Sequence, residues 1–192
     1  MLLKKCSNWF YKKSTGFSAL VCLLIFIVFS SLVLPDQAAK AEIYAGEVGS
    51  PDTSFFYTSK ELYRFAEAYG AKGRTAYIRA RFTFDVIWPI VYLAFLTTAI
   101  SWLLMKANLH NSKWQILNLI PLIGTAFDFL ENGSAALIMA RFPQTTRVLD
   151  EMTGIFTLLK WVFITGSFIV LFVCIILLFS HRIKTRKNSK QD

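Results

Sequence analysis

The feature that most limits this chain is a set of four apolar runs, 17–34, 84–105, 114–137 and 154–180, each long enough to cross a bilayer as a helix. Hydrocarbon about 30 Å thick takes about 20 helical residues. Lipid offers no partner to an unpaired peptide group, so a spanning segment must satisfy its own backbone. The sequence therefore predicts an all-α fold: an integral membrane four-helix bundle, forming one membrane domain over 1–192.

Composition agrees, since 55% of the 192 residues are hydrophobic and 17% are charged, too apolar for an ordinary soluble domain. The net charge of +9 is divided among membrane flanks rather than gathered on one surface, which argues against nucleic acid as a partner. Lys4, Lys5, Lys12 and Lys13 precede the first run without an acid, Lys106 and Lys113 flank the turn after the second, and Lys184, Arg186, Lys187 and Lys190 follow the fourth. By the positive-inside rule these are cytoplasmic segments. The expected threading puts both termini in the cytoplasm, with the chain multi-pass in the plasma (inner) membrane and a cytoplasmic tail over 181–192.

Two readings of the first run stay open. Ala39-Lys40-Ala41 follows it at a distance that suits signal-peptidase cleavage, whereas an 18-residue apolar core is longer than the usual signal segment and suits a retained span. Between the first two spans, 35–82 reads as an outer loop that begins irregularly at Pro35. It then carries an amphipathic helix, because Thr58 and Glu61 form a capping-box pair and Leu62, Phe65, Ala66 and Tyr69 make an apolar stripe ending at Gly70. A basic stretch with Arg74, Arg79 and Arg81 then runs into the second span without an evident break.

The third run carries the chemistry. Asp128, Glu131 and Asn132 are three and four residues apart and share one helical face. A carboxylate inside hydrocarbon costs several kcal/mol unless it is paired, wetted or protonated, so such residues are site candidates. Asp85 opens the second span, with Pro89 and Tyr92 on its face, and Lys160 lies near the start of the fourth with Thr153 and Thr157. Counted at 1.5 Å per residue, all of these converge on the outer third of the bilayer.

The expected ligand-binding candidates are therefore Asp85, Asp128, Glu131, Asn132, Lys160, Arg79 and Arg81. Beyond the bilayer itself, three readings compete. A structural charge network would suit a scaffold or accessory subunit that packs against a membrane-protein partner or a second copy of the chain. A cavity would bind a lipid-like or cationic ligand, with arginines holding phosphate and acids facing an amine or hydroxyl. A membrane enzyme would use Asp128 or Glu131 as a general acid/base on a lipid.

The cofactor, if there is one, stays unknown from the sequence, and no metal site is expected. The sequence has no zinc-spaced His/Cys cluster, Gly-rich phosphate loop or Cys-x-x-Cys pair, and His110 is a lone loop histidine without a metal-ligand partner nearby. Cys6, Cys22 and Cys174 avoid the outer loop, so no disulfide framework is expected.

Overall fold

The computed structural model describes residues 2–109 and 113–188, and within them the chain is helical with no strand. His110 and the end of the tail lie outside the described residues. The helices are α1 (Leu2–Lys13), α2 (Gly16–Val28), α3 (Leu34–Ala45), α4 (Ser59–Ala68), α5 (Gly70–Arg81), α6 (Phe84–Lys106), α7 (Ile120–Arg141) and α8 (Leu149–Asn188). Among the described residues three helical stretches are long and apolar enough to cross a membrane: Gly16–Ala45, Gly70–Lys106 and Leu149–Ser180. The helix within the third expected span, α7, is not one of them, because Asp128, Glu131 and Asn132 dilute its apolar character.

Several expected boundaries move, each for a local reason. The first span does not give way to irregular chain at Pro35. A π-helical turn over Phe29–Val33 joins α2 to α3, and Pro35 falls in the first turn of the new segment, where its missing N–H costs nothing. Irregular backbone begins only where Gly46 (φ 53°) and Gly49 (φ 80°) take left-handed values that suit glycine. The third span does not start at Trp114, since Lys113–Leu119 is a 3-10 helix and the α-helix begins at Ile120, with Pro121 in its first turn. The fourth helix is much longer than 154–180 and continues through the basic flank to Asn188.

The amphipathic helix forms as the spacing predicts. Thr58 accepts from the Glu61 amide while the Glu61 carboxylate accepts from the Thr58 amide, and Leu62, Phe65 and Ala66 are buried. Gly70, at φ 59°, then turns the chain into α5. The basic stretch does run on toward the second span, but with an interruption: a two-residue turn at Phe82–Thr83 separates α5 from α6, and there the Thr83 hydroxyl donates to the Arg79 carbonyl at 2.8 Å.

Packing divides the interior into two apolar regions. In one, α6 side chains from Tyr92 to Leu104 meet Cys174 and Leu178 of α8 and Tyr11 of α1. In the other, Leu62, Phe65, Ala66, Tyr69 and Tyr77 meet Ala135, Ile138 and Met139 of α7. Helices α7 and α8 form the most extensive contact, and a Cβ added at Gly124 would stand 3.0 Å from the Ile164 side chain, so glycine there sets the approach. Around the outside, Leu24, Ile25, Ile169, Phe172 and Phe179 of α2 and α8 are exposed.

Candidate functional site

The polar layer lies between these two apolar regions and is built from α7 outward. Asp128, Glu131 and Asn132 are buried on one face, with Glu131 only 1% exposed. From α8, the Lys160 ammonium reaches Glu131 Oε2 at 2.5 Å and stands 4.0 Å from Asp128 Oδ1. From α6, the Tyr92 hydroxyl donates to Asp128 Oδ2 at 2.8 Å. The Asn132 side-chain amide donates to Asp128 Oδ1 at 3.1 Å and to the Asp85 carbonyl at 3.3 Å, tying α7 to the start of α6.

Arg81, at the end of α5, closes the other side. Its Nη1 donates to Asn132 Oδ1 at 3.0 Å and pairs with Asp85 Oδ2 at 3.1 Å, and its Nη2 pairs with Asp52. The guanidinium also lies over the Tyr77 ring, 4.1 Å from its centroid. One buried arginine thus holds two carboxylates and an amide, a planar arrangement that a lysine would not reproduce.

A non-helical strap completes the cluster. Between the 3-10 turn Pro51–Thr53 and the start of α4, the chain crosses α8 and inserts Tyr57, whose hydroxyl donates to Glu131 Oε1 at 3.3 Å. Burial first, and the neighbouring Glu131 carboxylate second, push the Tyr57 phenol well above its ordinary range and keep it a proton donor. Gly154 makes this crossing possible: a Cβ there would lie 2.0 Å from the Tyr57 carbonyl oxygen. The Trp161 indole N–H donates to the Ser54 carbonyl at 3.2 Å and anchors the strap's other end.

Six of the seven expected residues, Asp85, Asp128, Glu131, Asn132, Lys160 and Arg81, therefore meet in one network. Arg79 does not. Two residues from Arg81 on a helix, it projects to the far side of α5 and is exposed. The spacing of the third span missed Asp52, Tyr57 and Tyr77, which reach the layer from the loop and α5. Outside the network, Arg141 and Arg147 are exposed, and Tyr63 bridges Asp150 Oδ2 (3.2 Å) and the Thr146 amide (2.7 Å).

With every group ionised, the layer holds Asp52, Asp85, Asp128 and Glu131 against Arg81 and Lys160, a formal excess of two negative charges. Among the described residues no three His, Cys, Asp or Glu side chains converge in a way that would hold a metal ion. No protein-family model, curated protein or solved structure matches the chain.

Proposed function

We propose that this protein is a four-span helical bundle of the plasma (inner) membrane, with both termini cytoplasmic, and that its polar layer, at outer-leaflet depth, binds the amine head of a lipid-like amphiphile. The observation that carries this reading is the charge imbalance. Asp52 is 39% exposed and keeps its charge in water, but Asp85, Asp128 and Glu131 still exceed Arg81 and Lys160 by one buried negative charge, which costs several kcal/mol unless it is neutralised. An alkylammonium head bound in the layer would neutralise it. The Asp128 and Glu131 oxygens beside Lys160 are the acceptors such a head would meet.

The same geometry argues against an anionic head held by arginine. Both terminal nitrogens of Arg81 are engaged, by Asp52, Asp85 and Asn132, and Arg79 faces away.

A second reading has its own support. Each of the four carboxylates already has a partner, as expected of a network that fixes helix register in a scaffold or accessory subunit. Native mass spectrometry of the purified chain, with a single-chain primary amine of about twelve carbons and the alcohol of matching length as probes, separates the two. The amine is expected to stay bound to the wild type and to be lost from Asp128→Asn and Glu131→Gln, with the alcohol lost throughout. Equal loss of amine and alcohol from the wild type, together with a co-purifying membrane protein, would establish the accessory-subunit reading instead.

A further inference from the structure

The N-terminal helix is an unexplained part of the fold. A basic segment before a membrane span needs no fixed structure, yet α1 is folded and docked. The Ser7 and Tyr11 hydroxyls, one turn apart, both donate to the Gln115 carbonyl, at 2.9 and 2.8 Å. The Asn118 side-chain amide donates to the Ser7 carbonyl at 3.2 Å and to the Ser101 hydroxyl at 2.9 Å, and Gln115 reaches Asn8. The extended residue Thr15 then caps α2, so α1 does not continue the first apolar helix but is turned aside at its mouth.

With Ser7 and Tyr11 facing inward, helical geometry puts Leu2 and Trp9 on the far side, flanked by Cys6. Leu2 is 80% and Trp9 56% exposed. Lys5, Lys12 and Lys13 fall beside that apolar strip, Lys4 is exposed as well, and no acid occurs before Asp36. The segment that receives α1 has the same character, with Trp114 and Ile116 exposed on the 3-10 helix and Lys106 exposed at the end of α6. Tryptophan with lysine at the end of apolar helices is the pattern of a membrane–water interface. An apolar strip bordered by lysines is that of a helix lying in the headgroup layer.

We infer that α1 and the 3-10 helix Lys113–Leu119 form a collar that binds the anionic phospholipid headgroups of the cytoplasmic leaflet, with Leu2 and Trp9 inserted and Lys4, Lys5, Lys12 and Lys13 on the phosphates. The partner is the bilayer surface rather than a soluble anion, because the apolar strip would gain nothing from free phosphate. The inference rests on the membrane reading of the apolar helices and is independent of what the polar layer binds. Each lysine held near an anionic surface is worth about fivefold in binding.

The test uses the full chain in nanodiscs. With Cys22→Ser and Cys174→Ala in place, Cys6 carries an environment-sensitive fluorophore, and the discs contain either zwitterionic lipid alone or about one third phosphatidylglycerol. The expected result is blue-shifted emission that a headgroup-level spin-labelled lipid quenches. The unfolding midpoint should also rise with phosphatidylglycerol. Replacing Lys4, Lys5, Lys12 and Lys13 together by alanine should abolish that rise and leave the midpoint in zwitterionic discs unchanged. Water-like emission from a chain that reconstitutes normally overturns the collar and leaves the membrane reading standing. An equal rise in the four-lysine variant also overturns it. Failure of the wild type to enter discs at all overturns both.

Discussion

The ion pair between Lys160 and Glu131 gives an asymmetric prediction. At an effective dielectric of about 20, charges 2.5 Å apart attract by about 7 kcal/mol and charges 4.0 Å apart by about 4 kcal/mol, both gross values that desolvation largely offsets. Lys160→Met removes both attractions and leaves Glu131 and Asp128 buried together, so the loss should be about 3–5 kcal/mol, the usual size for breaking a buried pair. Glu131→Gln leaves Lys160 beside Asp128 and should cost clearly less. The double variant restores the wild-type charge balance, and Asp128 keeps its Tyr92 and Asn132 donors. It should therefore be more stable than Lys160→Met alone, with a coupling energy of about 2–3 kcal/mol. Equilibrium unfolding in mixed micelles, followed by tryptophan fluorescence, measures the cycle. Additive losses within about 0.5 kcal/mol would refute the pair as the organising contact of the layer.

Other expectations follow from the same contacts. Gly154→Ala drives a methyl into the Tyr57 carbonyl and should destabilise by about 1–3 kcal/mol, with the strap amides losing hydrogen-exchange protection before α7 and α8 do. Tyr11→Phe combined with Ser7→Ala strips the Gln115 carbonyl of both side-chain donors and should cost about 1–3 kcal/mol by thermal unfolding, with proteolysis between α1 and α2 enhanced. The Thr58 amide, and then its hydroxyl, hold the Glu61 carboxyl below its ordinary range. A folded-state value below the unfolded one means that this contribution is present above about pH 4.3 and is lost as pH falls through the folded value. Glu61→Gln should remove that acid-side loss of amide protection in α4, and an unchanged acid profile would count against the capping box.

The helical class and most of the polar layer were legible because both depend on spacing within one helix. Asp128, Glu131 and Asn132 share a face by period alone, and a lysine about two turns into the expected fourth span had few ways to satisfy its charge except by meeting them. Arg79 could not be told from Arg81 without knowing that the chain breaks at Thr83, a position with no glycine or proline to mark it. Tyr57 meets Glu131 across 74 residues, and its approach depends on a missing side chain at Gly154, an effect of close packing that leaves no periodic trace. Pro35 misled for the opposite reason. Proline usually ends a helix, but a π turn placed it where no backbone donor was needed. The docking of α1 was invisible because its inward residues, Ser7 and Tyr11, are polar.

The strap has a consequence for timing. Between Asp52 and Tyr57 it is held by contacts to Arg81, Glu131 and Trp161 and by the buried Tyr57 ring, and beyond the Pro51–Thr53 turn by no helical ladder. Lifting it breaks those contacts while α7 and α8 stay packed on each other, so the carboxylates can be uncovered without separating the helices. Such an opening would be a local event in the μs–s range of lid motions, costing the exposure of the Tyr57 ring but not global unfolding. The residence time of anything held by Asp128 and Glu131 would then follow the opening rate of these six loop residues. If the layer binds an amine head as proposed, strap variants should change how fast that ligand leaves by more than their effect on global stability accounts for.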